Sequence, residues 1–153
     1  MMANNQSVKD TPEELRHTDE QHNQETTHKK EKHTQKTVKL IIKRQDNQEA
    51  KAYEETFEIP YKENLNVIAC LMEIRRNPVN SKGEKTTPVV WDMNCLEEVC
   101  GACSMVINGR ARQACSAIVD QLEQPIRLEP MSTFPVIRDL QVDRTRMFDN
   151  LKR

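Results

Sequence analysis

Four cysteines in the second half of the chain constrain its fold more than any other feature. Cys95, Cys100, Cys103 and Cys115 follow the spacing C-x4-C-x2-C-x11-C. This spacing is typical of a [2Fe–2S] cluster, in which the fourth thiolate comes from further along the chain than the first three. The pattern therefore predicts these four cysteines as cluster ligands, and one-electron transfer as the chemistry.

The residues between the second and third cysteines are small. Gly101 tolerates a positive φ, which lets the backbone pass close to the inorganic sulfurs and direct N–H groups toward them. Hydrogen bonds of this kind tune the reduction potential of a cluster. We therefore expect the loop backbone, as well as the thiolates, to contribute to the site.

Other uses of the cysteines are less consistent with the sequence. Structural zinc is usually bound by two separated cysteine pairs, whereas three of these cysteines share one loop. A disulfide framework requires an oxidising compartment, and the first residues contain no apolar signal segment. The fifth cysteine, Cys70, falls in a predicted helix. We expect it to be a small core residue, with a fifth ligand or redox thiol as the alternative.

Residues 1–36 are predicted to form a disordered polar tail. They contain almost no large apolar side chains, so burial cannot offset the entropy cost of ordering them. All four histidines lie in this segment, at His17, His22, His28 and His33. A metal-binding histidine tract is the alternative interpretation, but the spacing would not place the four histidines on one face of a helix.

The charge pattern argues against nucleic-acid binding, and the hydropathy pattern argues against a membrane-spanning segment. Charged residues make up 31% of the chain, yet the formal net charge is −1 and both signs are interspersed. Nucleic-acid binding therefore has little support. No apolar stretch reaches the roughly 18–20 residues of a membrane span, so we expect any link to a membrane to go through partner proteins.

The remaining sequence predicts strands and helices in the order of a β-grasp fold. An Asn-Gly pair between two short strands is a strong hairpin signal, and this hairpin would return Cys115 to the cluster loop. In chain order the predictions are strands at Val38–Lys43 and Tyr53–Ile59, a helix capped by Asn64 and ending at Arg76, a strand at Val89–Met93, a hairpin around Asn108-Gly109, a strand at Pro125–Pro130 and a helix at Arg144–Lys152. We therefore predict an α+β fold of the plant-type ferredoxin-like, β-grasp kind. Its [2Fe–2S] domain spans 37–134, and a terminal helical segment spans 135–153.

The stretch from Cys95 to Cys115 resembles the N-terminal domain of the iron–sulfur subunit of succinate dehydrogenase and fumarate reductase. The resemblance also covers Leu71–Asn80 and Pro125–Asp143, and is closest to forms from Gram-positive bacteria. It implies that the four cysteines bind the [2Fe–2S] cluster, with no catalytic residue on this chain. It also implies an electron path from a flavoprotein (FAD) subunit that oxidises succinate to quinone at a membrane anchor subunit. The implied location is cytoplasmic, held at the cell membrane by those partner subunits.

Two features depart from that family. Many members have Arg-Glu-Gly after the first ligand, where this chain has Leu96-Glu97-Glu98, so the reduction potential is expected to differ. The family continues into a helical domain with cysteine runs for a [4Fe–4S] and a [3Fe–4S] cluster, whereas no cysteine follows Cys115. We therefore expect segment 135–153 to lead toward a domain that the sequence lacks.

Two other families share part of the cysteine pattern. A stand-alone ferredoxin-like electron carrier would need no partner subunits. The [2Fe–2S] domain of a molybdenum hydroxylase can have the same spacing, but it is followed by a second set of four cysteines. The segment after Cys115 favours the succinate dehydrogenase family over both alternatives.

Overall fold

The computed structural model describes residues 36–152. The predicted tail and its histidines lie outside the described residues, except for Lys36. The elements in chain order are β1 (Thr37–Arg44), β2 (Tyr53–Pro60), α1 (Val67–Arg76), β3 (Ser104–Ile107), β4 (Arg110–Gln113), β5 (Ile126–Glu129), β6 (Val136–Arg138), β7 (Gln141–Val142) and α2 (Thr145–Leu151). No helix within this described range is both long enough and apolar enough to cross a membrane.

Five strands form one mixed sheet in the order β2-β1-β5-β3-β4. Leu40 on β1 pairs with Phe57 on antiparallel β2 and with Ile126 on parallel β5. Strand β3 runs antiparallel to both β5 and β4. This mixed sheet, together with a helix between β2 and β3, confirms the predicted α+β, ferredoxin-like fold.

The core lies between α1 and one face of this sheet. Successive side chains of a strand point to opposite faces, so β1 buries Val38, Leu40 and Ile42 completely while its lysines face outward. Helix α1 contributes five buried side chains to the same core, namely Val67, Ile68, Cys70, Leu71 and Ile74. Cys70 is thus a fully buried core residue, as expected.

The N-cap of helix α1 lies two residues after the predicted one. Asn64 has a φ of 60° and lies in a turn, so the prediction of Asn64 as the N-cap was wrong. Asn66 has the extended backbone of a cap, and its side-chain oxygen accepts a hydrogen bond of 2.8 Å from the N–H of Ala69. Its side-chain nitrogen donates to the carbonyl of Cys115 at 2.9 Å. The start of α1 is therefore attached to the fourth cysteine.

The segment Val89–Met93 is not a strand, so this prediction was wrong. Its apolar alternation reflects burial, because Val89 and Trp91 are 2% and 8% exposed. The backbone groups of Val90 are bound outside any ladder. The N–H of Val90 donates to Asp139 at 2.9 Å, and its carbonyl accepts from the N–H of Leu140 at 3.1 Å. A turn thus holds this approach to the cluster loop.

That turn belongs to a small hairpin that no sequence pattern predicted. Strands β6 and β7 pair in antiparallel fashion, and Asp139 between them has a φ of 49°. Within the predicted terminal helical segment 135–153, the helix is restricted to Thr145–Leu151. This helix corresponds to the one predicted at Arg144–Lys152, and the residues before it form the hairpin instead. The division into domains stays a prediction.

A buried ion pair connects this hairpin to the end of β1. The Arg44 and Asp139 side chains are both completely buried, and Arg44 Nε donates to Asp139 Oδ1 at 2.8 Å. Arg44 also donates to Glu55 and, through Nη2, to the carbonyl and hydroxyl of Thr87 at 3.0 Å. Burial opposes the charged form, but the hydrogen bond and charge of Asp139 outweigh it, and the pKa of Arg44 is raised. The pair ties β1, β2 and the loop before the cysteines to one turn.

Candidate metal centre

The fold brings the four predicted cysteines to one end of the β3–β4 hairpin. Cys103 directly precedes β3, and Cys115 follows shortly after β4. The N–H of Ala114 donates to the carbonyl of Cys103 at 3.2 Å, which extends the hairpin ladder beyond its strands. The hairpin therefore returns Cys115 beside Cys103, as the Asn-Gly turn predicted.

The four thiols differ in their access to solvent. Cys103 and Cys115 are only 3% and 6% exposed. Cys95 is half-buried and Cys100 is exposed. The thiol of Cys100 contributes to the lowered pKa of Cys95, and the thiols of Cys103 and Cys95 contribute to the raised pKa of Cys115. The site thus has a buried side and a solvent-facing side.

Backbone N–H groups of the cysteine loop point at the sulfurs. The N–H groups of Glu97 and Cys100 donate to Cys95 Sγ at 3.4 and 3.3 Å. The N–H of Ala102 donates to Cys100 Sγ at 3.4 Å. The bonds from Glu97 and Cys100, with a further one from Val99, lower the pKa of Cys95 to about 7. They favour the thiolate, which is the form that binds metals.

On the buried side of the site, the pKa of a thiol is raised instead of lowered. Burial raises the pKa of Cys115, and the thiol of Cys103 adds to this effect, while the N–H of Glu98 opposes it. Closely spaced thiolates repel one another, and low solvent access strengthens this repulsion. A bound metal ion inverts this balance, because its positive charge stabilises the coordinating thiolates.

The loop achieves this arrangement through left-handed backbone conformations. Leu96, Glu98 and Gly101 have φ values of 62°, 58° and 69°. Alternation of left-handed with ordinary residues directs neighbouring N–H groups to one side, which is how backbone concavities bind anions and iron–sulfur clusters. Glycine adopts this conformation freely, whereas Leu96 and Glu98 do so at a steric cost. In this loop shape the backbone N–H groups, as well as the thiols, line the candidate site.

Several side chains that support the loop were not identified from the sequence. Glu98 accepts a hydrogen bond of 2.7 Å from Ser116 Oγ. Gln113 donates to the Glu98 carbonyl at 3.3 Å. Arg144, just before α2, donates to the carbonyls of Gly101 and Ala102 at 2.9 Å each. No local motif identifies Arg144, because it follows the last cysteine by a long stretch of chain.

The donor set fits a two-iron cluster. Between residues 36 and 152, no three His, Cys, Asp or Glu side chains are arranged around a position for a single metal ion. A [2Fe–2S] cluster requires no such set, since two thiolates bind each of its irons and sulfides bridge them. Four soft thiol donors, with N–H groups directed at their sulfurs, match the ligand preference of iron–sulfur clusters.

Comparison with known proteins agrees with this chemistry. The family described as "2Fe-2S iron-sulfur cluster binding domain" matches residues 39–149. The chain is 75% identical over 119 residues to the succinate dehydrogenase iron-sulfur subunit of Bacillus subtilis (strain 168), which covers 78% of this chain and 47% of that protein. It is 49% identical over 51 residues to the fumarate reductase iron-sulfur subunit of Mycobacterium tuberculosis, covering 33% of this chain and 21% of that protein.

Among solved structures, the Sdh1 complex of Mycobacterium smegmatis in the apo form contains a similar chain. The TM-score is 0.62 at 25% sequence identity, and the match covers 76% of this chain and 46% of that one. The chain thus spans less than half the length of each of these relatives.

Proposed function

The chain belongs to the family of [2Fe–2S] iron–sulfur cluster binding domains, and we propose that Cys95, Cys100, Cys103 and Cys115 bind its cluster. The observation that carries this assignment is the set of loop N–H groups directed at Cys95 Sγ and Cys100 Sγ. When bound, the cluster supplies a one-electron carrier. The residues of this chain hold the thiolates, shield the side at Cys103 and Cys115, and leave the side at Cys100 open.

We further propose that the chain works as part of the iron–sulfur subunit of a succinate dehydrogenase. The similarity to the Bacillus subtilis subunit supports this assignment over fumarate reductase, because its identity is higher and extends over more of the chain. In this assembly the electron donor is a flavoprotein (FAD) subunit, and the path leads to quinone at a membrane anchor subunit. The proposed location is the cytoplasmic face of the cell membrane, reached through these partners.

The surface around the open side of the site supports contact with a partner protein. Leu96 and Val99 lie in the cysteine loop and are 44% and 81% exposed. Apolar side chains grouped at a functional edge are typical of interaction surfaces. Cys100, the most exposed of the four cysteines, lies in the same loop. We propose that the flavoprotein subunit covers this edge.

Single replacements of the cysteines test the ligand assignment. Each of the four cysteines is changed to serine, which replaces a soft sulfur donor with a harder oxygen, and iron, acid-labile sulfide and the electron paramagnetic resonance (EPR) spectrum are measured. We expect loss or clear alteration of the cluster in every case. Cys70→Ser is the matched control and should retain it. An unchanged cluster in any one of the four variants would remove that residue from the ligand set.

The partner assignment requires a separate experiment. The chain carrying its cluster is mixed anaerobically with the flavoprotein subunit of the Bacillus subtilis enzyme, succinate is added, and cluster reduction is followed by EPR. We expect reduction only when the flavoprotein is present. Leu96→Glu/Val99→Glu should slow the reduction while leaving the cluster reducible by dithionite. No binding and no reduction with the flavoprotein would instead support a stand-alone carrier.

A further inference from the structure

Arg144 holds the part of the cluster loop that lies between the second and third cysteines. Its Nη1 donates to the carbonyl of Gly101 at 2.9 Å, and its Nη2 donates to the carbonyl of Ala102 at 2.9 Å. Nη2 also lies 3.4 Å from the carbonyl of Ser104. The planar fork of a guanidinium is suited to holding two acceptors in a fixed relation.

These bonds fix the direction of an N–H group that faces a sulfur. The carbonyl of Gly101 and the N–H of Ala102 belong to one planar trans peptide unit, so they point in opposite directions. Arg144 binds the oxygen end of that unit, and Cys100 Sγ accepts from its nitrogen end at 3.4 Å. Rotation of the peptide plane would break both bonds together.

The loop needs an external support of this kind. Gly101 is in the left-handed region at φ 69°, where glycine also reaches other conformations readily. One internal bond, from the N–H of Ser104 to the carbonyl of Gly101 at 3.1 Å, closes the turn. Because this bond shares its acceptor with Arg144, the two donors together define where the Gly101 carbonyl points.

The charge of Arg144 acts in the same direction as its geometry. Reduction adds a negative charge to a centre that already carries four thiolates, so a nearby cation favours the reduced state. Arg144 is partly buried, which weakens screening by solvent. N–H groups that donate to a thiolate also stabilise the added charge.

We propose that Arg144 is a positioning residue for the cluster: its guanidinium fixes the Gly101–Ala102 peptide toward Cys100 and thereby raises the reduction potential. This inference rests on the proposed cysteine ligands. It adds that a residue outside the cysteine motif, at the start of α2, sets the electronic property of the site.

Redox titration of the 153-residue chain with its cluster, followed by EPR, tests the proposal. Arg144→Gln removes both the charge and the guanidinium fork. We expect it to lower the equilibrium constant for cluster reduction about tenfold, which lowers the reduction potential by about 59 mV for one electron. Arg144→Lys keeps the charge but cannot hold both carbonyls, so we expect it to lower the same equilibrium constant about threefold, which lowers the potential by about 28 mV. Both variants should also change the shape of the EPR spectrum.

Arg146→Gln is the matched control. Arg146 lies two residues further along, in the first turn of α2, and is exposed; it makes no side-chain hydrogen bond to the loop within residues 36–152. The same change of charge at this position should change the equilibrium constant for cluster reduction by less than about twofold, which is a shift of less than about 18 mV in the reduction potential. An equal effect from both arginines would overturn the proposal.

The other outcomes are also decisive. If Arg144→Gln has the same reduction potential as the parent, the positioning role is overturned. If Arg144→Gln has a lowered potential but Arg144→Lys keeps that of the parent, the positioning role is also overturned, because only the charge then matters. If Arg144→Gln loses its cluster but keeps its circular dichroism spectrum, the role in holding the loop is supported. Unfolding of both Arg144 variants would overturn it in favour of a purely structural role. Failure of the ligand assignment is distinguishable, because it would appear as an unchanged cluster in Cys100→Ser.

Discussion

The buried pair of Arg44 and Asp139 should contribute strongly to stability although it lies outside the cluster site. Arg44→Met keeps an unbranched side chain in the space but leaves the Asp139 carboxylate buried without its cation. Removing one partner of a buried pair typically costs about 3–5 kcal/mol. Asp139 would still accept from the N–H groups of Gln45 and Val90, at 3.2 and 2.9 Å. We therefore expect a loss at the lower end, about 3 kcal/mol.

Thermal unfolding measures this loss. For a domain of this size, 1 kcal/mol corresponds to a shift of about 3–5 °C in Tm, so Arg44→Met should lower Tm by about 10–15 °C. Trp91 is the only tryptophan of the chain and is 8% exposed, so its fluorescence reports unfolding. Scans must be anaerobic and made at one heating rate, because cluster loss makes unfolding irreversible.

An exposed ion pair provides the control. Arg127 contacts Glu54 at 2.6 Å, but the two side chains are 51% and 60% exposed. Exposed pairs contribute about 0–1 kcal/mol, so Arg127→Met should leave Tm nearly unchanged. The double variant Arg44→Met/Asp139→Asn removes both buried charges and should recover part of the stability. Equal Tm values for Arg44→Met and Arg127→Met would refute the argument that burial makes the first pair dominant.

Two further predictions concern Gly101 and Cys70. Gly101→Ala and Gly109→Ala place a side chain at φ 69° and 77° without a close contact, so each should cost about 1–2 kcal/mol. Only Gly101→Ala should also bind less iron and sulfide, and equal iron in both variants would contradict the role of the loop backbone. Burial makes the Cys70 thiol inaccessible in the folded chain and raises its pKa to about 12, so the thiol also stays protonated. Mass spectrometry after iodoacetamide treatment at pH 8 should find Cys70 unlabelled until urea unfolds the protein, and rapid labelling of the folded chain would contradict its core position.

The features that the sequence predicted depend on local patterns. The cysteine spacing points to the candidate site, and the Asn108-Gly109 turn accounts for the return of Cys115, because both signals lie within a short stretch of chain. The alternation of Val38, Leu40 and Ile42 predicts β1, since one buried face of a strand has a period of two residues.

The errors have identifiable physical causes. Val89–Met93 has the burial pattern of a strand, but burial alone does not show whether a backbone pairs with a strand or with a side chain such as Asp139. Asn64 and Asn66 are chemically equal candidates for a helix cap. The choice between them depends on backbone conformation, and in the structure also on the contact with the Cys115 carbonyl. Such contacts are not encoded in a local pattern.

The long-range polar contacts together explain how an irregular loop becomes a rigid site. No strand or α-helix lies between Arg76 and Ser104, so this part of the chain has no continuous ladder to hold it. Its backbone is instead held from distant elements: Asp139 holds it at Val90, and Arg144 holds it at Gly101 and Ala102. The two supports differ in their distance from the sulfurs. Loss of the Asp139 contact should therefore reduce mainly stability, whereas loss of the Arg144 contacts, one peptide away from Cys100, should change the reduction potential.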